Sequence, residues 1–387
     1  MILAHRIQLD PNNVQRTYFA KACGVARFAY NWALAEWKRL YELGEKVSEG
    51  ELRKRLNAIK RESFPWMLEV TKCAPQLSIM NLGIAFKNFF AGHANYPQFK
   101  KKGRHDSFEI SNDQFALNGQ VIRIPGLGWI RLTETLRFTG KILGAAVSRT
   151  AGKWFVSIQV EMPDAKLSHN GDNQTVGVDL GVSNLATLSD GTTIEGPKPH
   201  TALLKRLRRL SRSLSRKEKQ SRNFAKAVQK LARLHARIAN IRKDALHKLT
   251  TRLTKGYSKI GIEDLKVSGM VKNRRLARSI LDMSFSEFRR QLEYKAALTG
   301  SRVVVADQFY PSSKTCSKCG HKLDELPLNA RRWTCSTCKS EHDRDVNAAM
   351  NLEIMAASSA VTACGEMVQQ GRSVKQEHNI KPTYGQV

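Results

Sequence analysis

Apolar and polar residues alternate weakly over residues 2–9, which predicts a strand. Asp10-Pro11 then offers an N-cap and a first-turn proline, so a long helix is expected to run to about Leu43. Ser48-Glu-Gly-Glu51 has capping-box spacing for a second helix. Pro75 opens a third, in which Leu77, Met80, Ile84 and Phe86 recur at roughly helical intervals. Beyond Ser107 the period shortens, and 121–124, 129–132, 145–149 and 154–160 read as short strands punctuated by Gly and Pro. Such a group is expected to close into a small barrel or sandwich, with the first strand as an added member and the helices as an insertion.

A polar stretch at 168–173 reads as a linker, after which the pattern restarts. Residues 175–180 form a predicted buried strand, and 184–188 a second one that turns through Ser189-Asp-Gly-Thr192. Leu203, Leu207, Leu210 and Leu214, then Phe224, Val228, Leu231, Ile238, Ile241, Ala245 and Leu249, imply two long amphipathic helices. Apolar strands at 259–263 and 302–306 flank a helix through Phe285, Phe288 and Leu292. A last helix is predicted over 345–355, and the polar remainder from about 365 is expected to be disordered. The class is therefore α+β and multidomain.

Composition adds a partner. The 387 residues suffice for two or three domains with their own cores, and the formal net charge is +30. So much positive charge repels itself unless a polyanion offsets it, which points to nucleic acid. Lys100, Lys101, Lys102 and Arg104 form one basic run. Arg208, Arg209 and Arg212 lie on predicted helix faces that carry almost no acids, as a phosphate track would. Nowhere do eighteen apolar residues run together, and no apolar stretch follows the first residues, so a cytosolic protein with no membrane partner is expected.

Cys316-Ser-Lys-Cys319 and Cys335-Ser-Thr-Cys338 have the spacing of a closed four-cysteine zinc knuckle. Disulfides suit short secreted chains better than this long one with Cys23, Cys73 and Cys364 scattered elsewhere. Three acids sit at the ends of predicted elements: Asp179, Glu263 and Asp345, with Asp264 and Asp343 as weaker candidates. Clustered, partly buried carboxylates repel one another unless a cation joins them, and hard oxygen donors in a basic protein suit Mg²⁺ and phosphodiester chemistry. Singly, each acid has an ordinary alternative: Asp179 could satisfy turn amides, Glu263 could pair with Lys259 or Lys266, and Asp345 could cap its helix.

Gly177-Val-Asp-Leu-Gly181, Ile262-Glu-Asp-Leu265, the segment from Tyr310 to Gly320 and His342-Asp-Arg-Asp-Val-Asn-Ala-Ala349 resemble the RuvC-type motifs and zinc ribbon of the TnpB family. These are transposon-encoded relatives of the type V CRISPR nucleases. The resemblance extends through Arg27-Phe-Ala-Tyr-Asn-Trp-Ala-Leu34 and Tyr96-Pro-Gln-Phe-Lys-Lys-Lys102. It implies a wedge-like β-barrel (1–10 and 92–167) with an inserted helical recognition lobe (11–91). An RNase H-like RuvC domain (174–306 and 344–356), a zinc ribbon (307–343) and a tail (357–387) would follow. It also implies a guide RNA made from the transposon end, and a prokaryotic, nucleoid-associated enzyme. Double-stranded DNA would be cut beside a short transposon-adjacent motif by two Mg²⁺ ions on Asp179, Glu263 and Asp345, with one structural Zn²⁺. Gln76 is a candidate reader of that motif. The alternatives are a nuclease-silent RNA-guided repressor and a strand-transfer transposase.

Overall fold

The computed structural model describes residues 2–162, 174–327 and 329–358. The expected linker at 168–173 and the tail beyond Ser358 lie outside them. The chain divides into two compact units, Met1–Ala165 with Leu203–Asn240, and Lys166–Ala202 with Ile241–Val387.

In the first unit, β1 (Ile2–Asp10) leads into α1 (Asn13–Glu42), α2 (Glu49–Ser63) and α3 (Cys73–Phe90). Asn12, not Asp10, caps α1: its side chain accepts from the Gln15 amide while the Gln15 side chain accepts from the Asn12 amide. Asp10 remains the last residue of β1. Ser48 caps α2 as expected, by accepting from the Glu51 amide. The apolar face of α3 differs from the prediction, because this helix is apolar nearly all round and its periodicity is ambiguous. Ile79, Leu82 and Phe86 are buried, whereas Met80 and Ile84 are exposed.

Then come β2 (Ser107–Ser111), β3 (Ala116–Asn118), β4 (Val121–Ile124), β5 (Gly128–Leu132), β6 (Lys141–Thr150) and β7 (Lys153–Glu161). They join β1 in a seven-stranded sheet of order β2-β6-β7-β1-β5-β4-β3. β1 is central, antiparallel to both β5 and β7. Among the described residues β2 and β3 are unpaired edges, so hydrogen bonding does not close the expected barrel. Alternate residues such as Ile7, Leu9, Val156, Ile158, Ile122 and Ile130 form the buried face, and Phe19 of α1 packs on it against Phe108 and Trp154.

The second sheet contains β8 (Thr175–Asp179), β9 (Ala186–Leu188) and β10 (Thr193–Ile194). The short α4 (Pro199–Ala202), α5 (Leu204–Ser215) and the 35-residue α6 (Arg222–Gly256) precede β11 (Lys259–Ile262). The leucine stripe of α5 is only half-buried. After β11 come α7 (Val267–Met270), α8 (Ala277–Met283), α9 (Phe285–Thr299) and β12 (Arg302–Val305). A small hairpin, β13 (Arg332–Thr334) and β14 (Glu341–Asp343), runs directly into α10 (Arg344–Ser358). The sheet order is β10-β9-β8-β11-β12, with β8, β11 and β12 parallel.

This sheet is mixed and covered on both faces. Val176, Val178, Ile260 and Ile262 point into a core with Leu249 and Leu253 of α6 and Phe288 and Leu292 of α9. Gly177 and Gly261 are paired in register and face the opposite way, toward α10. A Cβ on Gly177 would stand 1.8 Å from the Ala349 carbonyl oxygen, and one on Gly261 would stand 2.2 Å from that of Leu352. Only glycine lets the helix backbone approach so closely. With Ala348, Ala349, Leu352 and Ala356 buried in the same contact, the start of α10 is held at the ends of β8 and β11.

Candidate active site and metal centre

Asp179 is the last residue of β8, and Glu263 directly follows β11. Because Ile262 pairs with Val178, the two acids occupy the next register position at the carboxyl ends of neighbouring parallel strands. That edge is where open α/β sheets place ligands. Asp345 enters from the first turn of α10. Burial pushes the Asp179 carboxyl up to about 8, and the charges of Glu263 and Asp345 add to the rise. Arg344 and Arg331 oppose it.

Two of the ordinary alternatives, for Asp345 and for Glu263, are not what the structure shows. The α10 amides of Asp345 and Val346 donate to Asp343 Oδ1, at 3.0 and 3.1 Å, so Asp343 is the cap and Asp345 is free of that duty. Glu263 accepts from the Ser312 hydroxyl, and no ion pair to Lys259 or Lys266 forms among the described residues. Asp264 pairs with Arg289, which lines a recess together with Glu263. Arg331 reaches Asp345 at 3.3 Å and Ser183 at 3.5 Å.

The four cysteines converge: all their sulfurs lie within 4.8 Å of one another, with Cys316 and Cys335 buried. The knuckles are built alike. Gly320 donates to the Cys316 carbonyl and Lys339 to that of Cys335, each from a left-handed conformation, with φ of 75° and 58°. Four thiols converging without disulfide geometry suit one tetrahedral Zn²⁺. His342, buried beside them, brings Nε2 to 3.1 Å from the Cys316 sulfur and packs at a tilt against the Trp333 ring. The carboxylates do not close to the same degree, and among the described residues the cysteines are the compact metal-ligating group.

Sequence reasoning overlooked the link between the two centres. Asn347 and Asn351, both buried in α10, donate to the Thr315 carbonyl at 2.8 and 2.7 Å, and Asn351 also to that of Ser312 at 2.8 Å. Asn347 Oδ1 accepts from the Ser317 amide. The segment that begins the first knuckle is thus fastened to the helix that presents Asp345, and its Ser312 touches Glu263. Asn347 stood within the Asp-Val-Asn-Ala-Ala motif, and a polar residue on an otherwise apolar helix face was the available signal.

The predicted basic residues are spread over the first unit. Lys101 and Arg104 line a recess of about 410 Å³ with Arg27 and Phe99. Lys100 also borders it, and its ammonium lies 4.0 Å above the Tyr30 ring. Lys102 is exposed, as are Arg208, Arg209 and Arg212 on α5. Gln76 is half-buried in the first turns of α3.

A family model described as "Probable transposase" matches residues 157–274, which include Asp179 and Glu263. "Cas12f1-like, TNB domain" matches 285–352, which include the four cysteines and Asp345, and a "Helix-turn-helix domain" matches 1–46. The chain is 40% identical to "Putative RNA-guided DNA endonuclease InsQ" of Escherichia coli (strain K12), over 97% of this chain and 96% of that one. It belongs to the TnpB family. A second relative, "Putative RNA-guided DNA endonuclease" of Streptomyces pristinaespiralis, is 39% identical over 97% of this chain and 96% of that one. The fold is shared with a Cas12f1 chain solved as a Cas12f1-sgRNA-target DNA complex, at TM-score 0.51 and 15% identity, over 88% of this chain and 83% of that chain. Among the described residues, no helix is long and apolar enough to cross a membrane.

Proposed function

We propose that this TnpB-family chain is an RNA-guided DNA endonuclease that cuts double-stranded DNA beside a short transposon-adjacent motif. Asp179, Glu263 and Asp345 are its catalytic acids, in an RNase H-like arrangement of the second unit. The observation that carries this reading is that burial pushes the Asp179 carboxyl up to about 8 while the charges of Glu263 and Asp345, from two other elements, add to the rise. Such mutual repulsion fits a site for cations, and hard oxygen donors fit Mg²⁺. When bound, two such ions would supply an activated water and neutralise the leaving oxygen. The chain's own part is positional. Asp179 and Glu263 face the phosphodiester from adjoining strand ends, Asp345 closes the set from α10, and Ser312 fixes one oxygen of Glu263.

Base pairing with a transposon-end guide RNA would select the target, leaving the protein to read backbone and heteroduplex shape. Lys100, Lys101, Lys102, Arg104, Arg208, Arg209 and Arg212 supply positive charge for this, and Gln76 is assigned to the adjacent motif. Cys316, Cys319, Cys335 and Cys338 hold one structural Zn²⁺ that shapes the rim of the site. The wedge-like sheet and the inserted helices would make the nucleic-acid contacts outside the chemistry, and the enzyme acts on DNA in a prokaryotic cell.

The test uses the ribonucleoprotein with its copurifying RNA, a duplex matching the guide, and Mg²⁺. Cleavage is expected for the native chain and none for Asp179→Ala, with target binding retained. Binding without cleavage by the native chain would instead identify a guided repressor. Because one matching family model is described as a transposase, transposon ends are included without RNA. Joined products there would favour strand transfer.

A further inference from the structure

One face of α1 is only partly covered by the core: Phe28 and Trp32 touch it but stay half-buried. Gly24, Arg27, Phe28, Asn31 and Trp32 follow helical spacing, and with Trp66 they line an open slot of about 490 Å³. Its walls are aromatic: Phe28 meets Trp66 edge-on with ring centroids 5.0 Å apart, and Trp66 is 42% exposed. The floor is a glycine in the middle of a 30-residue helix, where glycine weakens the element. Packing does not require it. A Cβ at Gly24 would meet only the Arg27 guanidinium, at 4.0 Å, so the space is left open to something outside the chain.

Charge indicates what that is. Arg27 lines both this slot and the basic recess that contains Lys101 and Arg104. The two cavities therefore adjoin, one apolar and flat-walled, the other cationic. Asn31 fixes this arrangement by exchanging hydrogen bonds with the backbone of Lys100, donating at 3.0 Å and accepting at 2.8 Å. Asp106 holds Arg27 at 3.3 Å. An aromatic wall beside cations is how proteins take single-stranded nucleic acid, with the base stacked and the phosphate paired.

We propose that the Gly24–Phe28–Trp32–Trp66 slot binds one unpaired nucleobase of the guide RNA, whose phosphate lies on Arg27, Lys101 and Arg104. RNA is chosen over DNA because loops and ends of a folded RNA offer splayed bases, whereas the bases of a duplex target are paired. The inference rests on the chain binding RNA, and not on its cutting DNA.

The full-length ribonucleoprotein is irradiated with ultraviolet light, digested, and read by mass spectrometry, with and without matching duplex. A nucleotide is expected on the peptides containing Phe28 or Trp66 before any DNA is added. In parallel, the copurifying RNA is titrated against Trp66→Ala, which removes a wall, and Gly24→Leu, which fills the floor. Each is expected to weaken RNA binding about tenfold while the melting temperature holds, and Trp66→Phe to restore most of it. Unchanged affinity in both folded variants, or cross-links to other peptides only, would overturn the proposal. A cross-link seen only with duplex present would assign the slot to DNA and overturn it too. A native chain that binds no RNA at all sinks the underlying RNA-binding reading as well, which distinguishes the two failures.

Discussion

The cysteine knuckle and the carboxylate triad are two candidate metal centres on one stretch of fold, and they are built in opposite ways. Each half of the knuckle is local: a two-residue spacer and a left-handed residue after the second cysteine turn both sulfurs to one side. The triad is tertiary, because Asp179, Glu263 and Asp345 meet only through the register of β8 with β11 and the seating of α10 on Gly177 and Gly261. Soft thiols that converge at a closed site contribute to folding once zinc joins them. Carboxylates that converge at the end of a sheet oppose folding until cations arrive. Losing one ligand should therefore have opposite signs in the two centres.

The largest effect is expected for Cys335→Ser. The native chain should carry one zinc, and the variant none, because a buried hydroxyl cannot replace a thiolate donor. Structural zinc in small modules is worth on the order of 10 kcal/mol, so the ribbon should lose its fold. Since Asn347 and Asn351 fasten that segment to α10, DNA cleavage should fall as well. Elemental analysis together with amide exchange over 312–343 gives the answer. Full zinc content in the variant would remove the knuckle from the comparison.

The same contrast explains what could be read in advance. Spacing alone exposed the knuckle, and an acid after an apolar run exposed Asp179 and Glu263. The fastening of α10 was hidden because a buried asparagine reveals its role only through the carbonyls it meets, here those of Ser312 and Thr315. The central place of β1 was hidden for a similar reason: its partners β5 and β7 lie more than a hundred residues downstream. On α3 the apolar residues offered several stripes, and tertiary packing chose Ile79, Leu82 and Phe86 over Met80 and Ile84. The Arg331 contact with Asp345 carries no periodic signal at all.

Asp179→Asn should act in the other direction. With the folded pKa at about 8 and an unfolded value near 4, the native fold binds a proton that the unfolded chain has lost throughout that window. The stability cost is absent below the unfolded value, grows as pH rises through the window, and is complete above about pH 8. The metal-free variant should therefore exceed the native chain by a few kcal/mol at pH 8.5, and by much less at pH 4.5. Mg²⁺ should raise the melting temperature of the native chain at pH 8.5 more than that of the variant. Equal stabilities at both pH values would show that burial and the neighbouring charges do not hold the Asp179 carboxyl up.

The smallest effect separates Asp343 from its neighbour Asp345. Asp343 Oδ1 accepts from two α10 amides, and Asp345 from none in this cap. Replacing Asp343 by Ala should cost about 1 kcal/mol through the lost cap, and Asn should recover most of it because it can still accept from those amides. Cleavage should drop only modestly, since the start of α10 also rests on the glycine seat. Urea unfolding and cleavage rates of Asp343→Ala and Asp343→Asn measure both effects. If Asp343→Asn lost cleavage while keeping stability, Asp343 would belong with the proposed catalytic acids, and the division between a capping acid and an acid of the triad would fail.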